Sequence, residues 1–468
     1  MMASNNEHNA PVMVVAVPMP AQSHLNQLLD LSTIISSFYN LPVHYISSSS
    51  HVRPVKHRYL NPLLLTKIQF HELPFPHFPS PVPTRGGSAD QLFHLEPLLN
   101  VTLELRQPFL TLLQTLRSQA KKIVIIHDAM LAFAVQDAAS FPNVQLYAFD
   151  STCSFTAFTI MREQAGSTSP IPEEIEIPDD LPSLEGCYTD VVMKYIPLQL
   201  EALKFRSGDI RNTCRVIEGD FVDPVGQIHG NKMQWAVGPF YGYLRGIGEQ
   251  NSSEIGKNKC VEWLDKQPPR SVIYVSFGTT CSMTDEQVKE LAMGLEESKI
   301  RFIWVLKDAD RANAFAEKKG SGPELPQGFE ERTVGVGMVV RGWAPQAEIL
   351  RRASTGGFMS HCGWSSVLES ISEGVPIAVW PMHTDQPRNA AFLSRMLKVG
   401  MVVRNWSRRN ELVTASTVTE AVRTLMLSEE GELMRKRAEE LGGALRQATA
   451  ECGVSRMELE AFIDHIIN

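Results

Sequence analysis

A chain of 468 residues is too long for one hydrophobic core and implies two domains of about 200 residues each. Its 43% hydrophobic and 21% charged content is that of a soluble globular protein, and a net charge of −8 without any Lys/Arg stripe excludes a nucleic-acid polyanion as partner. Cysteines stand singly at positions 153, 187, 214, 260, 281, 362 and 452, with no CxxC pair, which suits reduced thiols and excludes a disulfide frame or a zinc site. The N-terminal segment MMASNNEHNA has no basic region, and the apolar run Val12–Val17 is too short for a signal or a membrane span, so the cytoplasm is the expected compartment. That run, mostly valine, predicts a central parallel strand buried on both faces. Pro18-Met19-Pro20 ends it, and Leu25, Leu28, Leu29, Ile34 and Ile35 set a helix beginning near His24. His24 therefore falls at a strand–helix junction, on the sheet edge where α/β folds place ligands.

Val43–Ser47 and Leu64–Phe70 read as the second and third strands. Between Leu73 and Gly87, five prolines and two glycines make a loop suited to lining a cleft. Helical spacing follows at Leu92, Leu95, Leu99 and Leu103, and beyond Pro108 at Phe109, Leu112, Leu113 and Leu116. Ile123–Ile126 is another buried strand that runs into His127-Asp128, with a helix starting near Met130. Strand alternation sends His127 and Asp128 to opposite sides, so at most one of them meets His24. The acidic, proline-rich run Gly166–Leu184 reads as a surface loop, and the glycine-rich, aperiodic run Pro239–Lys257 as the domain boundary.

The alternation then restarts. Ser271–Phe277 is a strand, Gly278-Thr279-Thr280 its turn, and Thr284 with Gln287 a capping box for the next helix. Phe302–Leu306 and Val336–Val340 are strands on either side of a long polar loop, Asp308–Gly328. Helices are expected from Asp385 to the end, the last being Arg456–Ile467 with Met457, Leu459, Phe462 and Ile466 on one face. The expected architecture is α/β, with two facing Rossmann-like domains and the active site in the cleft between them. The first spans residues 1–240 and the second 241–452, with the final helix, 453–468, packing back on the first.

The stretch from Trp343 to Gln386 carries the chemistry. Trp343 offers a flat ring for stacking a base, beside backbone groups of Ala344 that can bond its polar edge. The β-like run Gly357–Ser360 leads through His361-Cys362-Gly363 into a helical pattern starting near Trp364. Such a strand–turn–helix aims unpaired N–H groups and a helix dipole at one point, a diphosphate site, with His361, Ser365 and Ser366 as side-chain donors. Glu369, one turn on, can accept from both hydroxyls of a ribose. Pro376 and Pro381 bracket a short apolar run, after which Asp385 and Gln386 suit the hydroxyls of a hexose.

The ordered set WAPQ, GGF, SHCGW, Glu369, GVP and Asp385-Gln386 resembles the plant secondary-product glycosyltransferase box of UDP-dependent glycosyltransferases. PMPAQSHLN (Pro18–Asn26) and IIHDAM (Ile125–Met130) resemble the segments around that family's catalytic histidine and aspartate. QSHLNQLLDLS, WPMHTDQPRN and GVSRMELEAFIDHI are most similar to zeatin O-glucosyltransferases, which glucosylate the side-chain hydroxyl of a cytokinin. The resemblance implies the GT-B fold and an inverting, metal-independent transfer from UDP-glucose to a small hydroxylated acceptor. UDP-glucose is then a co-substrate, no prosthetic group is needed, and the protein is expected to be a monomer without nucleic-acid or membrane partners. Carried over residue by residue, the resemblance makes His24 the general base and Asp128 its supporting carboxylate. It assigns donor binding to Thr279, Trp343, Ala344, Gln346, His361, Gly363, Trp364, Ser365, Ser366, Glu369, Asp385 and Gln386. Glutamine at position 386 accompanies glucose in that family, and histidine accompanies galactose. Two positions depart from the pattern: Arg352 replaces a usual histidine, and Ser365 a usual asparagine that helps hold the phosphates.

The residues support that assignment on their own chemistry. Imidazole titrates near neutrality, and a carboxylate on its far nitrogen fixes the tautomer, with the acceptor hydroxyl in the place a serine holds in a triad. No Asp-x-Asp cluster appears where a diphosphate would need a cation. Three alternatives stay open: another phenol or terpenoid alcohol as acceptor, a UDP-sugar epimerase or hydrolase on the same fold, and a nucleotide-sugar- or hormone-binding module whose transfer activity has decayed.

Overall fold

The computed structural model of the protein describes residues 10–58, 62–76, 95–165, 175–228, 230–245, 258–307 and 323–468. Seven strands form the first sheet: β1 (Ala10–Val17), β2 (Val43–Ser47), β3 (Ile68–Glu72), β4 (Ala120–Asp128), β5 (Val144–Asp150), β6 (Gly208–Arg211) and β7 (Met233–Ala236). They pair in the order β3-β2-β1-β4-β5-β6-β7. The second sheet takes β8 (Val272–Ser276), β9 (Arg301–Val305), β10 (Gly337–Val340), β11 (Thr355–Ser360), β12 (Ile377–Val379) and β13 (Gly400–Val402), in the order β10-β9-β8-β11-β12-β13. Every pairing is parallel. Helices cover both faces, which is why residues 12–17 are all buried whichever way they point. Each such buried aliphatic contributes about 1.5–3 kcal/mol of transfer free energy.

This topology decides where a ligand can sit. The strand order reverses between β1 and β4 in the first sheet and between β8 and β11 in the second, and a crevice opens beyond the strand ends at such a switch point. Val17 pairs with His127 across the first switch, and Ser276 with Ser360 across the second. His24, Gly278 and His361 thus follow, and Asp128 ends, the four strands that flank the two crevices.

The final helix, Val454–Ile467, packs on the first sheet, where Leu459, Phe462, Ile463 and Ile466 join Val12, Tyr147 and Trp235 in one core. Tyr147 and Phe462 meet edge to face, with ring centroids 5.3 Å apart. Met457, grouped with that face in the sequence, is 52% exposed; Ile463, one turn beyond Leu459, takes the inward position instead. Among the described residues, no helix is long and apolar enough to cross a membrane.

Other expectations need correction. Residues Pro62–Lys67 form a 3-10 helix, and β3 begins only at Ile68. Proline pre-sets the φ of such a turn and brings no N–H to a sheet. The capping box is half made: Thr284 Oγ1 accepts from Gln287 N at 3.1 Å, but the Gln287 amide pairs with both backbone groups of Val413, at 2.8 and 3.0 Å. The second half also continues past the box with a strand, β13, before its helices resume. The proline-rich loop from residue 77, Leu92, the acidic run to residue 174, residues 246–257 of the boundary and residues 308–322 of the polar loop lie outside the described residues.

Candidate active site

A cavity of about 1030 Å³ lies where the two sheet edges face each other, and both halves of the chain line it. From the first half comes His24, in the opening turn of the helix Gln22–Phe38. Asp128, the last residue of β4, lies buried behind it. Its Oδ1 accepts from Met130 N at 2.9 Å, which caps the following turn, and its Oδ2 meets His24 Nδ1 at 2.7 Å. The carboxylate is an acceptor, so Nδ1 carries the hydrogen and Nε2 is left as the basic nitrogen. Ser151 Oγ sits 3.2 Å from the same Nδ1. Burial pulls the His24 pKa down, but the charge and hydrogen bond of Asp128, then the charges of Asp385 and Asp150, outweigh it and hold it above its ordinary value. His127 faces the other way, toward Arg206 and Asp209, and its Nδ1 bonds the Asp128 carbonyl at 2.9 Å.

The opposite wall comes from the second half. After β11 the chain turns at Cys362, held at φ 67°, and enters the helix Trp364–Ser372. The N-cap is Gly363, which brings no side chain to the first-turn amides, so those N–H groups remain available at the cavity. His361 packs between two glycines. A Cβ on Gly278, itself at φ 77°, would lie 2.6 Å from His361 Nε2, and one on Gly363 only 2.5 Å from it. The two glycines therefore leave room at the ring edge that bears Nε2. His361 Nδ1 is buried with no hydrogen-bond partner among the described residues, and burial pushes the pKa down to about 4. A neutral imidazole beside helix N–H groups is a hydrogen-bond donor suited to a diphosphate.

All twelve donor-site residues expected from the sequence line this one cavity: Thr279, Trp343, Ala344, Gln346, His361, Gly363, Trp364, Ser365, Ser366, Glu369, Asp385 and Gln386. Asp128 is not among the lining residues and reaches the cavity only through His24. Trp343 is 48% exposed at the cavity wall. The Ala344 carbonyl already accepts from Gln346 N at 2.9 Å. Gln346 Nε2 donates to Ser366 Oγ at 3.0 Å and to Glu369 Oε2 at 2.9 Å, which orients the carboxylate proposed for a ribose. Burial pushes the Glu369 pKa up to about 7.

Two of the twelve do work that the sequence did not suggest. Trp364 buries its ring and donates from Nε1 to the Asn212 carbonyl at 2.9 Å, so its side chain bridges the two halves. Gln386 turns its Oε1 onto the backbone N–H groups of Met382 (2.9 Å) and His383 (3.0 Å), and its Nε2 lies 3.2 Å from His383 Nδ1, which leaves one amide N–H for a sugar. Of the two departures, Arg352 lies near Asp265 (3.6 Å) and Glu348 (3.9 Å), and Ser365 is half-buried on the cavity wall. Sequence reasoning missed Ser151, Thr152, Tyr241 and His383, which also line the cavity. The signal for Ser151 and Thr152 was available: they follow the strand-end Asp150, as His24 follows β1.

Residues 10–242 match the family described as glycosyltransferase, N-terminal domain, and residues 243–435 the family described as UDP-glucoronosyl and UDP-glucosyl transferase. A zeatin O-glucosyltransferase of Phaseolus lunatus is 48% identical, over 98% of both chains. The chain is a UDP-glycosyltransferase. A zeatin O-xylosyltransferase of Phaseolus vulgaris is 46% identical over 99% of this chain and 100% of its own. Phytolacca americana UGT2, solved with UDP-2-fluoro-glucose and pterostilbene, superposes with a TM-score of 0.74 at 25% identity, covering 98% of this chain and 100% of that one. The fold of this UDP-glycosyltransferase is therefore GT-B, its two Rossmann-like sheets facing across the cavity. Membership of a transferase family speaks against the epimerase and hydrolase alternatives.

Proposed function

We propose that this UDP-glycosyltransferase moves glucose from UDP-glucose to the side-chain hydroxyl of a zeatin-type cytokinin, with inversion at the anomeric carbon. His24 Nε2 takes the hydroxyl proton as the acceptor oxygen attacks C1 of the sugar from the side away from the diphosphate. The C1–oxygen bond to the β-phosphate breaks with its electron pair, and UDP leaves toward the first-turn amides of the helix Trp364–Ser372, with His361, Ser365 and Ser366 beside it. Asp128 keeps the proton of the resting imidazole on Nδ1 and stabilises the imidazolium that forms. Trp343 stacks the uracil, Glu369 takes the ribose, and Asp385 and Gln386 take the hexose hydroxyls. The seven free cysteines, six of them buried, fit a reducing compartment such as the cytoplasm.

The observation that carries this reading is the His24–Asp128 pair facing the donor residues across one cavity. Glucose and the cytokinin hydroxyl rest on the two bean relatives, and the second of these makes UDP-xylose the alternative donor. The test incubates the protein with UDP-glucose or UDP-xylose and zeatin, and follows products by mass spectrometry. An O-glucoside of zeatin is expected, and His24→Ala is expected to lower kcat by about 100-fold or more while UDP still binds. Near-normal turnover in that variant would remove His24 from the mechanism.

A further inference from the structure

Asn389 is 0% exposed in the helix Gln386–Ala391, and every end of its amide is used. Nδ2 donates to Oδ2 of Asp385 at 2.8 Å and to the carbonyl of Cys362 at 2.9 Å, while Oδ1 accepts from Thr156 Oγ1 at 2.7 Å. An amide has two donors at one end and an acceptor at the other, so turning it over would set oxygen against two acceptors. The orientation is therefore fixed by its partners.

Those partners lie in three different places. Asp385 is on the cavity wall, next to Gln386. Cys362, at φ 67°, forms the turn that delivers the helix Trp364–Ser372 to the diphosphate position, and a non-glycine residue in that conformation is held by its surroundings. Thr156 belongs to the first half, in the helix Ser154–Ala165, one turn beyond Thr152, and Ser151 stands beside His24. Asp385 also accepts from Thr384 Oγ1, at 2.9 Å on its other oxygen. Burial raises its pKa, and the Asn389 bond is the first of the hydrogen bonds that oppose that rise.

We propose that Asn389 is a positioning residue for glycosyl transfer. It holds Asp385 turned toward the donor sugar, and it ties the sugar end and the diphosphate turn to the half of the protein that carries His24. This rests on the reading above that Asp385 takes a sugar hydroxyl. The amide does not touch the substrate; it acts through Asp385, Cys362 and Thr156.

Removing the side chain takes a hydrogen bond from a buried carboxylate, and the loss should fall on the sugar rather than on the nucleotide. The experiment is titration calorimetry with UDP and with UDP-glucose, alongside steady-state kinetics and thermal melting. Asn389→Ala is expected to bind UDP within about threefold of the wild type, which also reports an intact cavity, and to weaken UDP-glucose about tenfold. Thr156→Val leaves both donations of Asn389 in place. It is expected to hold both affinities within about threefold and to lower kcat about tenfold, because the two halves lose their register. Should Asn389→Ala not fold, Asn389→Ser is measured against the same expectations. An equal loss for UDP and UDP-glucose, or a lower melting temperature with no change in either affinity, would reduce Asn389 to an interface filler. An unchanged kcat in Thr156→Val would overturn the tie between the halves. Asp385→Asn separates the two levels of the proposal. If it leaves the ratio of UDP-glucose to UDP affinity unchanged, the sugar reading of Asp385 fails; if it lowers that ratio while Asn389→Ala does not, only the role of Asn389 fails.

Discussion

Replacing Asp128 by asparagine changes one atom and reverses the logic of the base. The asparagine oxygen can keep the bond from Met130 N, now at 2.9 Å, so the cap on the following turn survives. The other end becomes an NH2 group facing His24 Nδ1, where 2.7 Å separates the two side chains. Two donors cannot share that distance, so the imidazole proton moves to Nε2, the atom that must accept the proton of the substrate hydroxyl. The charge of Asp128 is lost as well, and burial, the largest influence on His24, then pulls its pKa down. General-base catalysis is worth about 10² to 10⁴, and the wrong tautomer in a triad-like arrangement forfeits most of it. A fall of about 10² in kcat, roughly 3 kcal/mol of barrier and less than removal of His24 itself costs, is therefore expected. UDP affinity should stay within about twofold, since Asp128 does not line the cavity. The pH profile gives a second readout. Only neutral imidazole can take the proton, so wild-type kcat/KM should fall as pH drops through a pKa above the ordinary histidine value, and in the variant that limb should move to lower pH. Product formation from UDP-glucose and zeatin, followed chromatographically across pH, measures both. Turnover within about tenfold of the wild type, or an acidic limb that does not move, would refute the reasoning.

Three further outcomes are expected. Ser365→Asn should tighten UDP-glucose several-fold, about 1 kcal/mol, because an amide reaches further toward the diphosphate than a hydroxyl; unchanged or weaker binding by calorimetry would mean that the pocket is adapted to serine. The Glu369 pKa of about 7 makes UDP binding pH-dependent: the carboxylate accepts from the ribose, so affinity should weaken as pH falls through 7, and Glu369→Gln should flatten the dependence. A flat wild-type profile would contradict this. UDP-glucose should exceed UDP-galactose in kcat/KM by about tenfold or more, because a site that bonds one hydroxyl leaves its own polar groups unpaired against the epimer; equal values would refute it.

The strands that flank the two switch points were legible because each is a short apolar run ending in a chemistry-bearing residue: Val12–Val17 before His24, Ile123–Ile126 before Asp128, and Gly357–Ser360 before His361. Strand β6 was not, because its sequence GDIR reads as a surface turn. Both charged residues are nonetheless buried, Asp209 paired with Arg206, and Arg211 bonded to Asp150 and Gln234, each at 2.8 Å. Hydropathy cannot show a charge whose partner comes from another strand. The same limit applied to side chains with two possible destinations. Spacing marked Trp364, Gln386 and Gln287 as useful, but tertiary neighbours decided that the first bridges to Asn212, the second folds onto residues 382–383, and the third holds Val413. Asn389 stands four residues after Asp385 on one helix, a spacing that brings side chains together, and that pair was open to a reading of the sequence. Its bond to Thr156, 233 positions away, was not.

The anomeric configuration of the product is the most direct test of a base on one wall and a leaving-group site on the other. UDP-glucose is an α-glycoside, so attack assisted by His24 from the side opposite the diphosphate must give a β-linked glucoside of zeatin. The coupling constant of the anomeric proton, measured by NMR on the purified product, reads this directly. A β-glucoside is the predicted result. An α-linked product, or free glucose and UDP with no glucoside, would contradict the account.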